Sequence, residues 1–258
     1  MSKIFAVAGV VIRELYRRKD FYVLFILTVL ITLLMASVHF FHDDRIVRFV
    51  KEMCLILIWL SALVIAVTTA ARQIPMEREN RTIFPLLAKP IARWQVLLGK
   101  YLGCWLASGA ALVVFYVFFA AVSASREHSL PLASYFQALW LHWQMLGIVI
   151  ALTILGSVAL SPAANVTIVF IISLGILFMG KYLNMVAQRM TGPSGTLLSA
   201  LYFAIPHLEF FDVRILIIHG WTTPIPWADV LLATIYGFAY SAFFLAAACL
   251  VFRRKALN

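Results

Sequence analysis

The chain has 258 residues, 64% of them hydrophobic and only 12% charged, with a formal net charge of +10 and a mean hydropathy of +0.97. That balance excludes a soluble globular domain, in which about half the residues are apolar and about a quarter are charged. A pI near 9.8 would suggest nucleic acid for a soluble protein, but in so apolar a chain Lys and Arg gather at cytoplasmic membrane borders, and no nucleic-acid partner is expected.

Several stretches reach the roughly 20 apolar residues that cross about 30 Å of hydrocarbon as a helix. Lipid offers no partner to free backbone groups, so spanning segments are helices or closed barrels. The runs here are continuously apolar rather than alternating, which excludes the barrel. The expected class is an all-α integral membrane protein with six transmembrane helices.

Residues 2–19 set Ile4, Phe5, Val7, Val11, Ile12, Leu15 and Tyr16 against Lys3, Arg13, Glu14, Arg17, Arg18 and Lys19. Apolar spacings of three and four predict an amphipathic interfacial helix with its basic face toward anionic headgroups. The bland alternative is a stop-transfer cluster. The basic residues interrupt the segment before any long apolar run, so it does not read as a cleavable signal peptide.

The predicted spans are 21–41, 53–71, 101–123, 138–160, 166–182 and 231–252. Between the second and third lies a densely charged loop, 72–100, and between the fourth and fifth a short breaker, Ser161-Pro162-Ala163-Ala164-Asn165. The N-terminal segment, the 72–100 loop and Arg253-Arg254-Lys255 are basic, whereas the other connections carry acids about as often as bases. Both termini and the charged loop are therefore expected on the cytoplasmic side.

The longest outer segment, 183–229, opens with a turn at Gly192-Pro193-Ser194-Gly195. Its apolar pieces Leu197–Ile205 and Ile215–Ile218 are too short to cross. They fit re-entrant helices that dip into the outer leaflet or cap a cavity. They fit equally an interfacial loop anchored by Trp221 and Trp227. An outer gate is expected at Pro206, Glu209, Phe210 and Asp212.

No catalytic constellation survives inspection. Gly99-Lys100 is followed by Tyr101 and lacks the upstream glycine of a phosphate-binding loop. The six histidines have no zinc spacing, and Cys54, Cys104 and Cys249 read as packing residues. Ser157, Ser161 and Ser173 have no convincing base. No metal or cofactor is expected on the chain.

The charged loop reads Glu77-Arg78-Glu79-Asn80-Arg81-Thr82, then Leu86-Leu87-Ala88-Lys89-Pro90-Ile91-Ala92-Arg93-Trp94, then Leu98-Gly99-Lys100-Tyr101-Leu102-Gly103. With Pro206-His207-Leu208-Glu209-Phe210-Phe211-Asp212 and Phe252-Arg253-Arg254, it resembles the permease subunit of a type 2 ABC transporter, a bacterial exporter family. The resemblance covers essentially the whole chain. It implies a multi-pass inner-membrane permease, usually exporting, that pairs with a second copy or a related permease on two cytoplasmic ATPase subunits, which hold the ATP and Mg. It also implies that the 72–100 loop forms a cytoplasmic coupling helix, with Glu77, Arg78, Glu79, Arg81, Lys89, Pro90 and Arg93 as the ATPase-coupling residues. Both charge signs at close spacing suit a specific protein contact better than a lipid-binding patch, which would not need the carboxylates. A self-paired, solvated loop is the competing view of the same residues.

Three other functions compete with this one. An ion-coupled secondary transporter would place charges at mid-bilayer; here Lys181 and His142 are expected at outer ends, where they can snorkel. An intramembrane enzyme lacks a site. A noncatalytic membrane scaffold of the same fold would leave the charged loop without a purpose.

Overall fold

The computed structural model describes residues 2–17, 22–23, 25–30, 33, 44–79, 92–127, 132–189, 193–214, 218 and 224–254. These form α1 (Ser2–Arg17), α2 (Asp44–Arg72), α3 (Pro75–Glu79), α4 (Arg93–Glu127), α5 (Leu132–Ala159), α6 (Pro162–Arg189), α7 (Pro193–Ala204), a 3₁₀ turn Leu208–Phe211, and α8 (Trp227–Arg254). Among the described residues there is no strand. Among the described residues five helices are long and apolar enough to cross a membrane. The first predicted span, 21–41, falls mostly outside the described residues; positions 22–23, 25–30 and 33 are helical.

The helices run past the predicted spans. Residues 44–52, expected in a connection, are the first turns of α2, and residues 93–100, expected in the charged loop, are the first turns of α4. The reason is physical: hydropathy marks the part of a helix that meets lipid, whereas backbone hydrogen bonding continues until a breaker or a missing cap ends it. At the start of α4, Gln95 reaches back with Oε1 to accept the N–H of Ala92 at 3.1 Å, half of a capping box. Pro193, expected in a turn, instead opens α7, where its missing N–H is no loss.

Helix α5 is the axis. From Gln144 to Ala151 every residue is buried, so this stretch is enclosed all round, as a helix apolar on every face must be. It packs most extensively on α8 and also contacts α2, α4 and α6. By contrast α6 and α8 keep most of their apolar surface uncovered. Between α5 and α6 the breaker turns the chain at Leu160 and Ser161. Asn165 closes that turn by donating its amide to the carbonyl of Thr153 at 2.9 Å. Its carbonyl oxygen rests on Gly156, where a Cβ would collide with it.

Helix α1 does more than lie at an interface. Val7, Ala8 and Val11 pack on α4 at Gly99 and Gly103, where added Cβ atoms would stand 2.8 Å from Val7 Cβ and 2.7 Å from Val11 Cβ. Glycines four apart let two helices approach closely in a setting where packing, not the hydrophobic effect, drives association. Phe5, Val10 and Ile12 stay exposed on α1.

Candidate functional site

Chain direction alternates along the bundle, so the end of α2 and α3, the start of α4 and the end of α8 share one end. Residues 80–91 lie outside the described residues, but the structure that brackets them is defined on both sides.

On the first side, Gln73 and Ile74 turn the chain out of α2 into α3. Lys100, between the glycine contacts at Gly99 and Gly103 on α4, reaches across to this turn and is only 3% exposed. Its ammonium donates to the Gln73 carbonyl at 2.7 Å and to Gln73 Oε1 at 3.3 Å, and it pairs with Glu77 Oε1 at 2.8 Å. The Gln73 amide in turn donates to Thr69 O at 3.3 Å. A buried ammonium is tolerable only with its protons satisfied, and this site satisfies them with three oxygens.

On the second side, Arg93 begins α4 and ties it to α8. Its Nη1 donates to the Phe252 carbonyl at 2.9 Å, and the guanidinium lies 5.6 Å from the centroid of the Phe252 ring. A cation at the last carbonyls of α8 complements the negative end of that helix, and the ring adds a cation–π attraction. Two cations seven residues apart on α4 therefore clamp its first turns to α2 and to α8.

The predicted coupling residues divide accordingly. Glu77 and Arg93 hold the base of the loop together rather than projecting from it. Arg78 and Glu79 lie in α3, their side chains outside the described residues; Arg81, Lys89 and Pro90 are outside them altogether. Lys100 was quoted in the sequence motif but not counted as a site residue, because nothing in its spacing reveals a partner across the bundle.

Further along α4, Trp105 and Trp143 of α5 exchange hydrogen bonds. Trp105 Nε1 donates to Trp143 O at 3.1 Å and Trp143 Nε1 to Trp105 O at 2.8 Å, with ring centroids 4.5 Å apart. Room for the rings comes from Gly109 and Gly147, which lie against the indoles of Trp143 and Trp105 respectively. Each helix thus contributes the same pattern, Trp-x-x-x-Gly.

The opposite end gathers the predicted outer gate. Pro206 is buried and Phe210 exposed. The backbone N–H of His207 donates to the Tyr236 hydroxyl of α8 at 2.8 Å. Glu209, with its side chain 6% exposed and His207 Nδ1 at 3.4 Å, presses on Gly180 of α6, where a Cβ would lie 2.9 Å from both carboxylate oxygens. Asp212 and Arg214 form a bidentate pair, Nε to Oδ1 and Nη2 to Oδ2, both 2.7 Å. Burial works to raise the Asp212 carboxyl, but the hydrogen bonds and charge of Arg214 outweigh it and hold the pKa below the usual carboxylate value. The same hydrogen bonds, donated to Asp212, raise the Arg214 guanidinium against its own burial.

Next to this cluster, Gln137 of α5 serves Ile225. Its Nε2 donates to Ile225 O at 2.8 Å and its Oε1 accepts the Ile225 N–H at 2.9 Å. His142, expected to snorkel at an outer end, is instead buried, with Nδ1 3.4 Å from the Tyr116 hydroxyl and its ring stacked at 6.3 Å on Trp59. The correction follows from the helix start: α5 begins at Leu132, which carries His142 nearly three turns inside the bundle.

Among the described residues no group of three or more His, Cys, Asp or Glu side chains is placed to hold a metal ion. No curated protein matches the chain. A family model described as ABC-2 family transporter protein matches residues 8–257.

Proposed function

The chain belongs to the ABC-2 family of transporter proteins, membrane permeases of ABC transporters, and from that membership we propose that it couples ATP hydrolysis on a separate ATPase subunit to export across a bacterial inner membrane. The permease pairs with a second copy or a related permease over two ATPase subunits, which carry the ATP and Mg. Its termini and the 80–91 loop face the cytoplasm, and the loop with α3 docks into the ATPase.

One observation carries this reading: the base of the loop is clamped to three spanning helices by Lys100–Glu77–Gln73 and Arg93–Phe252. A loop that only connected spans would need no such bracing. A loop that must pass a displacement into the bundle needs its base fixed to the elements it moves, because coupling runs through packed contacts between rigid elements. The segment Glu79-Asn80-Arg81 beyond the clamp offers both charge signs to a partner.

The test is affinity purification of the tagged full chain from mildly solubilised native membranes, with an ATPase assay on what copurifies. Glu79→Lys combined with Arg81→Glu leaves the clamp untouched and is expected to remove a stoichiometric ATPase without reducing membrane insertion. Recovery of the chain alone, without ATPase activity, in several mild detergents would sink the coupling role and leave the scaffold.

A further inference from the structure

The start of α4 and the end of α8 border an open cavity of about 380 Å³ lined by Ala92, Arg93, Trp94, Cys249 and Arg253. We propose that it binds the phosphate of an anionic phospholipid, whose acyl chain lies along α8. This inference is independent of ATP coupling and of transport direction.

The lining holds two guanidinium groups and no carboxylate. Neither Arg93 nor Arg253 has a carboxylate partner among the described residues. Arg93 is pre-positioned, since Nη1 is fixed on Phe252 O and Cζ stands 5.6 Å over the centroid of the Phe252 ring. A guanidinium carries five N–H donors in a rigid fork, so fixing one leaves others for a phosphodiester. The volume is of the size that small-ligand sites occupy, roughly 300–1,000 Å³. Basic pockets between spanning helices recognise lipid headgroups through the same charge complementarity.

Free phosphate would satisfy the arginines alone, but the apolar surroundings point to a lipid. Trp94, 51% exposed, stands in the lining, and an amphipathic indole settles at headgroup depth. On α8, Ala242, Ala246, Cys249 and Arg253 follow at spacings of four, three and four. They share one helix face, and the two alanines are exposed. Beside them Leu250 is 58% exposed. A shallow apolar track therefore runs directly into the cationic cavity.

The experiment is native mass spectrometry of the purified full chain, with whatever subunits accompany it, titrated with phosphatidylglycerol and with phosphatidylcholine of identical acyl chains. Phosphatidylglycerol is expected to be retained preferentially, and Arg253→Gln to weaken it about fivefold, the share of one basic residue near an anionic surface. Arg254→Gln, at a neighbouring residue outside the lining, should change retention much less. Cys249→Trp, which fills the cavity without altering charge, should abolish the preference while thermal stability is kept. Equal retention of the two lipids, or equal effects of the two arginine variants, would overturn the proposal in favour of diffuse surface charge. Loss of bound phosphatidylglycerol to excess inorganic phosphate would assign the cavity to free phosphate and overturn the lipid.

Discussion

Trp105 and Trp143 donate to each other's backbone carbonyl, one on each of two antiparallel helices, with a glycine four residues on from each acceptor making room for the donor ring. Hydrogen bonds between membrane helices contribute about 0.6 kcal/mol on average and up to about 1.7. Trp105→Phe and Trp143→Phe should each destabilise by an amount in that range. The double variant should lose less than the sum, since each substitution also loosens the other's geometry. Gly109→Leu should destabilise more than either, because the Trp143 ring occupies the space. Unfolding in mixed micelles measures all four.

Ile225 sits between Pro224 and Pro226, which have no N–H, so its own N–H is the one backbone donor of that tripeptide. The Gln137 amide satisfies both its N–H and its C=O. Gln137→Ala should raise hydrogen exchange at the Ile225 amide about tenfold or more, the loss of roughly one to two net hydrogen bonds. Unchanged protection would show that the side chain does not hold this segment.

Lys100 is buried with Glu77 and Gln73 around it. Glu77→Gln should destabilise by about 1.5–3 kcal/mol, the worth of a hydrogen bond to a charged group. Lys100→Met combined with Glu77→Gln should recover part of that loss, since an apolar replacement of a buried ion removes the need for a partner. A double variant less stable than Glu77→Gln alone would contradict this account of the clamp.

Asp212 is held below the usual carboxylate pKa by Arg214. A carboxylate stabilised when folded contributes its full share above its unfolded pKa of about 3.9 and loses that share as pH falls through the lower folded value. Asp212→Asn should therefore be less stable than the parent at pH 7, and the two should converge below about pH 4. A difference that persists unchanged at low pH would place the role of Asp212 elsewhere.

Gly103→Leu should lift α1 off α4, because Val11 Cβ already stands within 2.7 Å of where the new Cβ must go. A cysteine introduced by Ala8→Cys, at a buried position on α1, should then react with a membrane-permeant thiol reagent. Equal labelling with and without Gly103→Leu would mean that α1 stays docked.

The helical membrane class was legible because continuous apolar runs admit no other solution, and the 72–100 segment stood out in the sequence because charge is so rare elsewhere. Helix ends were less so: Asp44–Glu52 and Arg93–Lys100 carry polar residues that lower hydropathy without interrupting the helix. The clamp was hidden for a different reason. Lys100 and Glu77 lie on separate helices, and only the turn at Gln73 and Ile74 brings them to one place. Gln137 and Ile225 stand 88 residues apart, with no local pattern to join them. Gly99 and Gly103 stood in the sequence only as part of a motif, and their close packing on α1 appears only once α1 lies against α4.

The first turns of α4 carry, within eleven residues, the contacts to α2 at Lys100, to α8 at Arg93 and to α1 at Gly99 and Gly103. A shaft keyed to three others at one bearing cannot turn or slide without driving them together. Any twist applied at residues 80–91 is thus shared among four helices at once. The α5–α6 hairpin, closed at its own turn by Asn165, joins the same set through the Trp105–Trp143 hydrogen bonds.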